Sequence, residues 1–227
     1  MDHSVRGEGV ADDGRFAIIG INQQQVCDPL LYLVKNKFRH REKIYVEDNP
    51  VYSTTMTGGL CDDDPETTLT AFVHIGPTFV HNALKQAGIH CSSPGVNVEE
   101  AIRSTSAYLK RALTKPGRRP YTVAIASYAL ALDGLPTTLH ELLLRGAAPG
   151  FSHWLDRENH LFTLEATGYA LLALVKWGRM EEAAAPFKWL NSQRRKGGGF
   201  GSTQPTMVGG GLCVKHLVRV PDTQTPS

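Results

Sequence analysis

The sequence predicts an all-α fold, a set of helical hairpins of the α/α toroid kind. Three observations carry this. Apolar residues recur at helix-face spacings along most of the chain. Two segments, Tyr121–Leu132 and Phe162–Trp177, are apolar on nearly every side, the pattern of helices buried from more than one direction. A motif also repeats: Ser127-Tyr128-Ala129-Leu130 and Gly168-Tyr169-Ala170-Leu171 stand about 41 residues apart, with Thr70-Ala71-Phe72-Val73 as a weaker third copy. Each copy precedes a turn and a more amphipathic helix, so inner, buried helices alternate with half-exposed outer ones. Such hairpins stack as an open solenoid or close into a barrel, and inner helices this apolar favour closure.

The elements follow in order. Asp28–Phe38 places Leu30, Leu31, Leu33, Val34 and Phe38 on a helix. Tyr45–Thr55 reads as extended but is interrupted by Pro50. Thr67–Gly88 is a long helical stretch in which Gly76-Pro77 marks the place for a bend. Asn97 caps the next helix, with Glu99 and Glu100 in a first turn where carboxylates suit the dipole. That helix runs through Ile102, Tyr108 and Leu109 and stops near Lys115-Pro116-Gly117. Thr138–Arg145 and Glu181–Gln193 are helices with one polar face. Thr57-Gly58-Gly59-Leu60 and Gly197–Thr203 are turns, the second offering Ser202 or Thr203 as a cap. A phosphate cradle at the second would need a preceding strand and a terminal Lys-Ser/Thr, and the sequence has neither.

With 227 residues, 41% hydrophobic and 20% charged, the chain can bury a core. A formal net charge of +2 is too small to point to nucleic acid or an anionic membrane as main partner. The basic residues are scattered apart from Arg118-Arg119 and Arg194-Arg195-Lys196, which read as solvated loop or helix ends. No apolar run reaches the roughly 20 residues of a membrane span, so no membrane insertion is expected. Met1–Arg15 is polar, without the apolar stretch of a signal peptide. The cysteines Cys27, Cys61, Cys91 and Cys213 form no CxxC pair, which argues against a zinc ribbon, and composition alone favours buried free thiols.

Among candidate chemistries the acidic run Asp62-Asp63-Asp64-Pro65-Glu66 is the sharpest. Clustered carboxylates suit Mg²⁺ or Ca²⁺, and Asp-rich motifs serve isoprenoid enzymes, themselves helical barrels. Pro65 at a first helical position favours a capping role instead, and no second Asp-rich motif follows. His74, His81 and His90 lack a third ligand and read as core or surface histidines. There is no G-x-S-x-G or H-E-x-x-H, and Ser53 and Ser202 have no evident base. The residues by themselves describe a helical repeat domain with no catalytic, cofactor or metal site, a binding or structural module rather than an enzyme.

Several stretches resemble the thioester-containing domain of the third complement component, in the alpha-macroglobulin family. They are Tyr121-Thr122-Val123-Ala124-Ile125-Ala126-Ser127-Tyr128-Ala129-Leu130-Ala131, Leu164-Glu165-Ala166-Thr167-Gly168-Tyr169-Ala170-Leu171-Leu172-Ala173-Leu174, Trp189–Arg194, and Gly197–Gln204. Asp48-Asn49-Pro50-Val51, Met56–Leu60 and Leu69–Val73 fit as well. The similarity runs over residues 18–206, leaving 1–17 and 207–227 as unmatched segments expected to be disordered. It implies an α/α toroid, incomplete on its N-terminal side, from an extracellular innate-immunity protein. In that family an internal Cys–Gln thioester acylates hydroxyls or amines on a target, tagging it for opsonic uptake and for complement proteins, regulators and receptors. A macroglobulin-type protease inhibitor is the alternative within the same family.

The sequence departs from that pattern. The motif Gly-Cys-Gly-Glu-Gln is absent, so no activated acyl group is at hand. Ser53 stands where many members have the His that attacks the thioester, which implies a preference for amines over hydroxyls in any complete parent. The final helix expected after the Gly tract is replaced by Pro205–Gly211 and a polar tail. The resemblance pairs Cys27 with Cys91 as a disulfide and leaves Cys61 and Cys213 unassigned. The acidic receptor-binding patch of relatives would fall near His81–Pro94, which here has no carboxylates. A toroid lacking its first helices is expected to expose apolar inner faces, with poor solubility or a partner over that edge.

Overall fold

A computed structural model of the chain describes residues 23–44, 65–134, 138–157 and 159–201. It contains helices α1 (Gln23–Ile44), α2 (Pro65–Gln86), α3 (Val98–Leu113), α4 (Pro120–Leu132), α5 (Thr138–Arg145), α6 (His160–Lys176) and α7 (Met180–Ser192), with a short 3₁₀ turn at Pro149–Phe151. Among the described residues there is no strand, only an isolated bridge between Ser93 and Val96. The all-α fold class is as the sequence predicts. The 45–55 segment, Ser202, Thr203 and the two chain ends lie outside the described residues.

Local signals set most boundaries. Asn97 Oδ1 accepts the Glu100 N–H at 3.0 Å to start α3, and Asn159 Oδ1 accepts the Leu161 N–H at 2.9 Å to start α6. Pro65 and Pro120 open α2 and α4, where a missing N–H costs nothing. Two boundaries differ from the sequence reading. The first helix extends from Gln23 to Ile44 and carries Pro29 inside it, and α2 is assigned as one helix through Gly76-Pro77. Pro77 is buried, so packing against the rest of the domain outweighs the hydrogen bond it removes.

The inner row runs α2, α4, α6. Thr68 Oγ1 meets Thr122 Oγ1 at 2.9 Å, and Asn82 Nδ2 donates to Leu132 O at 3.2 Å, so α2 and α4 run in the same direction. Tyr121 packs on Phe162 and Tyr128 on Tyr169, with ring centroids 5.3 and 6.2 Å apart, so α6 runs parallel to both. The outer helices return antiparallel: α3 lies against α2 and α4, α5 against α4, and α7 against α6. This is an arc of a toroid, with α4 at its middle. Every residue from Thr122 to Leu132 is buried, and small residues such as Ala124, Ala126, Ala166 and Ala170 let α4 and α6 approach closely.

Polar residues tie the arc together. Asp133 caps the C-terminus of α4, where a carboxylate meets the negative end of the dipole. His74 Nε2 lies 3.0 and 3.1 Å from its two oxygens, and Ser106 Oγ lies 2.5 Å from Oδ2. One buried carboxylate thus binds α2 and α3 to the end of α4. On the other side, Trp154 is fully buried, donates from Nε1 to Leu143 O at 2.8 Å, and has its backbone N–H on Thr167 Oγ1.

α1 belongs to a second, smaller core. Leu30 and Val34 pack with Leu84, Val98 and Ala101, apart from the main cluster. Beside them Cys27 and Cys91 form a disulfide with Cα atoms 5.3 Å apart, in line with the pairing the resemblance implies rather than the free thiols suggested by composition. On α2, Phe72 and Phe79 are 45% and 55% exposed, with Gly76 and Ala83 exposed on the same stripe. These residues give α2 a largely apolar, exposed stripe.

Candidate functional site

The starts of the inner helices bring together the chain's most unusual side chains. Tyr121 and Tyr128 on α4 face Phe162 and Tyr169 on α6, and Glu165 lies among them. Tyr121 donates its hydroxyl to Glu165 Oε2 at 2.9 Å. Burial pushes the Glu165 carboxyl above its usual range, only partly offset by that hydrogen bond. Burial also pushes the Tyr169 hydroxyl up, with the Glu165 and Tyr128 charges adding to it. Burial thus disfavours the charged forms of Glu165, Tyr128 and Tyr169, and an un-ionised phenol is a weak nucleophile.

A serine, an aspartate and a histidine do converge, at Ser106, Asp133 and His74, but in the wrong order for catalysis. The serine and the imidazole both bond to the carboxylate, and Nε2 of His74, 3.1 Å from Thr78 Oγ1, makes no hydrogen bond to Ser106. A base must reach the nucleophile's proton, and here it reaches the carboxylate instead. The cluster is a structural clasp.

The other histidines are dispersed. His81 and Lys85 approach Glu99 at 3.6 and 3.7 Å. His140 packs edge-on against Trp177, and its buried Nε2 makes no hydrogen bond; Glu182 at 3.5 Å is too far for a good one. His153 stacks on Trp189 at 4.6 Å, and burial pushes its imidazole down. His74 and His81 share α2 but bind different carboxylates. Among the described residues no three His, Cys, Asp or Glu side chains are grouped to hold a metal ion, and no helix is long and apolar enough to cross a membrane.

Three open cavities are seen among the described residues, one of them lined by His81, Lys85 and Glu99. Two, of about 260 and 370 Å³, flank the disulfide. A third, of about 460 Å³, lies between Arg119, Pro149, Leu155 and Arg157. Beside it Arg119 pairs with the buried Asp156 at 2.6 Å. Asp156 Oδ1 also accepts the Asn159 N–H, which anchors the loop before α6.

Of the residues singled out in the sequence, Ser53, Asp62, Asp63, Asp64, Cys61 and Cys213 lie outside the described residues. Pro65 and Glu66 stand in the first turn of α2. Sequence reasoning missed Asp133, Trp154 and Asp156, each of which has a partner far along the chain: His74 for Asp133, Thr167 for Trp154 and Arg119 for Asp156. Glu165 left a trace: it is the one carboxylate between His160 and Lys176, in a segment otherwise apolar or weakly polar.

Comparison with known proteins agrees with the geometry. Residues 14–210 match the sequence pattern of the A-macroglobulin TED domain. Complement C3 of Oncorhynchus mykiss is 36% identical over 191 residues, covering 84% of this chain and 11% of that protein. A venom factor of Crotalus adamanteus is 32% identical over 201 residues, covering 88% of this chain and 12% of that protein. Ophiophagus venom factor, from Ophiophagus hannah, is 30% identical over 205 residues, with 90% and 12% covered. The chain thus spans about an eighth or less of the length of these relatives. With its parallel inner row, antiparallel outer helices and bridged first helix, the chain belongs to the thioester-containing domain family of complement C3 and the alpha-macroglobulins.

Proposed function

We propose that this stretch acts in the complement system as a binding module, presenting a toroid surface to complement proteins, regulators or receptors, and not as an acylating group or an enzyme. The observation that carries the reading is in the sequence. Cys27, Cys61, Cys91 and Cys213 are followed by Asp28, Asp62, Ser92 and Val214, so no cysteine has the Gly-Glu-Gln needed for the thioester. Ser53, at the position of the attacking imidazole, supports the same conclusion, because a serine without a base is a poor acyl acceptor near neutral pH. Its place is extracellular innate immunity and opsonisation through a parent protein. The Cys27–Cys91 bridge suits an oxidising compartment. The relatives matched are complement C3 and venom factors, which favours complement over the protease-inhibitor branch.

The test is covalent labelling. The chain incubated with radiolabelled methylamine or glycerol is expected to take up no more label than a heat-denatured sample. Uptake above that level would overturn the reading. A chimera carrying a restored thioester segment extends the test to Ser53. It is expected to prefer methylamine, and its Ser53→His variant to gain glycerol transfer; equal glycerol transfer in both removes the role assigned to position 53.

A further inference from the structure

Basic residues stand side by side at three places in the chain: Lys110-Arg111, Arg118-Arg119 and the run Arg194-Arg195-Lys196. A serine protease with acidic S1 and S2 pockets reads such pairs, because each cation meets a carboxylate there. Charge makes the three places equivalent; the fold does not. A protease takes its substrate as an extended strand. A pair inside a helix or a packed turn is therefore read only after local unfolding.

Lys110 and Arg111 are exposed, but they lie in the last turn of α3. The next residues, Ala112 and Leu113, are buried. Presenting the bond after Arg111 would unwind the helix end and bring both side chains into solvent. Arg118 and Arg119 are half-buried. Arg118 Nε donates to Ala112 O at 3.1 Å, and Arg119 pairs with the buried Asp156 at 2.6 Å. Pro120 follows, and its rigid ring, which has no N–H, fits poorly behind a scissile bond.

The third place is open. Residues 194–198 form the longest unbroken run of exposed residues among those described. α7 ends at Ser192, and the chain then enters a turn. In it the Arg195 N–H donates to Gly199 O at 3.0 Å and the Gly198 N–H to Arg195 O at 2.8 Å. Arg194 lies over the Phe200 ring at 5.7 Å, a cation–π contact that an acidic pocket can replace. Gly197, Gly198 and Gly199 have no side chain to hinder an extended form. Exposed loops of small residues are where folded chains are nicked.

We propose that residues 194–196 are a processing site, cut after Arg195 by a serine protease specific for paired basic residues. Hydrolysis breaks the C–N bond between Arg195 and Lys196. Water supplies the hydroxyl that completes the Arg195 carboxyl group and the hydrogen that completes the Lys196 amine. Helices α1 to α7 all lie before that bond, while Phe200, buried in the main core, lies after it. The cut thus leaves the helical arc covalently whole and detaches from α7 the stretch that begins at Lys196. The proposal rests on the geometry of this loop and not on the complement reading.

The test uses the full chain and kexin, a pair-specific serine protease, with synthetic peptides of residues 106–116 and 190–200 as unfolded controls. Both peptides are expected to be cut, after Arg111 and after Arg195. In the folded chain, mass spectrometry should find the cut after Arg195 at least about tenfold faster than any after Arg111. Arg194→Gln, which removes a charge-assisted contact to the protease, should slow the cut about tenfold or more. Lys196→Gln, behind the scissile bond, should change it by less than about threefold. The nicked chain should keep its far-UV helical signal. A 190–200 peptide that is not cut, or a folded chain that resists while that peptide is cut, would overturn the proposal. So would cutting after Arg111 at a matching rate, an unchanged rate in Arg194→Gln, a rate abolished by Lys196→Gln, or loss of the helical signal on nicking.

Discussion

On one side of the molecule, α4 and α6 bury nearly every side chain they have, large and small, in a continuous apolar cluster that also takes in Trp154 and Leu190. On the other, α1 contributes Leu30 and Val34 to a small separate cluster and is secured by a disulfide, while α2 leaves Phe72 and Phe79 exposed. The first region is held by burial, which scales with apolar area. The second has too little area for that and is held by a covalent link and a few polar contacts, among them Gln23 Nε2 to His90 O. Damage to the first should unfold the arc, whereas damage to the second should detach one helix.

The largest effect is expected at Trp154. Trp154→Ala removes a fully buried ring and its hydrogen bond to Leu143 O, and should cost about 3–5 kcal/mol in urea unfolding. A loss below about 1 kcal/mol would show that the α4–α6 side does not depend on close packing. Next comes the covalent clamp. Cys27→Ser closes no bridge across a separation of 64 residues and should lower stability by about 2–4 kcal/mol. Hydrogen exchange should rise in α1 and in residues 88–97 while α4 and α6 stay protected; uniform loss of protection would erase the contrast between the regions.

The clasp at Asp133 tests how the two regions are joined. Asp133→Ala leaves the buried His74 and Ser106 without their shared acceptor and should cost about 1–3 kcal/mol, less if Ser106 turns to Ile102 O. The smallest and opposite effect is expected at Glu165. Its folded carboxyl lies above the unfolded value because burial disfavours the charge. Its contribution to stability is therefore fully present below the unfolded pKa and lost as pH rises through the folded one. Glu165→Gln, still able to accept the Tyr121 hydroxyl, should melt higher than the parent at neutral pH, with the gap closing in acid. A gap that widens in acid would show that the carboxylate is stabilised in its charged form.

Much of this was legible one residue at a time. The caps Asn97 and the helix-opening Pro65, the all-apolar segments at Tyr121 and Phe162, and the hairpin repeat are local or short-period signals, and local signals survive into the fold because each is settled within a turn or two of backbone. The bridged pair Cys27 and Cys91 became legible only through the family resemblance, since spacing alone cannot choose among the pairings of four cysteines. Gly76-Pro77 did not end the helix: α2 continues through it to Gln86, with Pro77 buried.

By itself the sequence determined the helix content, the order of inner and outer helices, and the absence of Gly-Cys-Gly-Glu-Gln from this stretch. Only the tertiary structure decided that Asp133 would hold three helices and that Arg119 would pair with Asp156. The reason is geometric. A hairpin repeat sends every second helix in the same direction, so residues far apart in sequence come to face one another across neighbouring helices, and local spacing contains no information about that pairing.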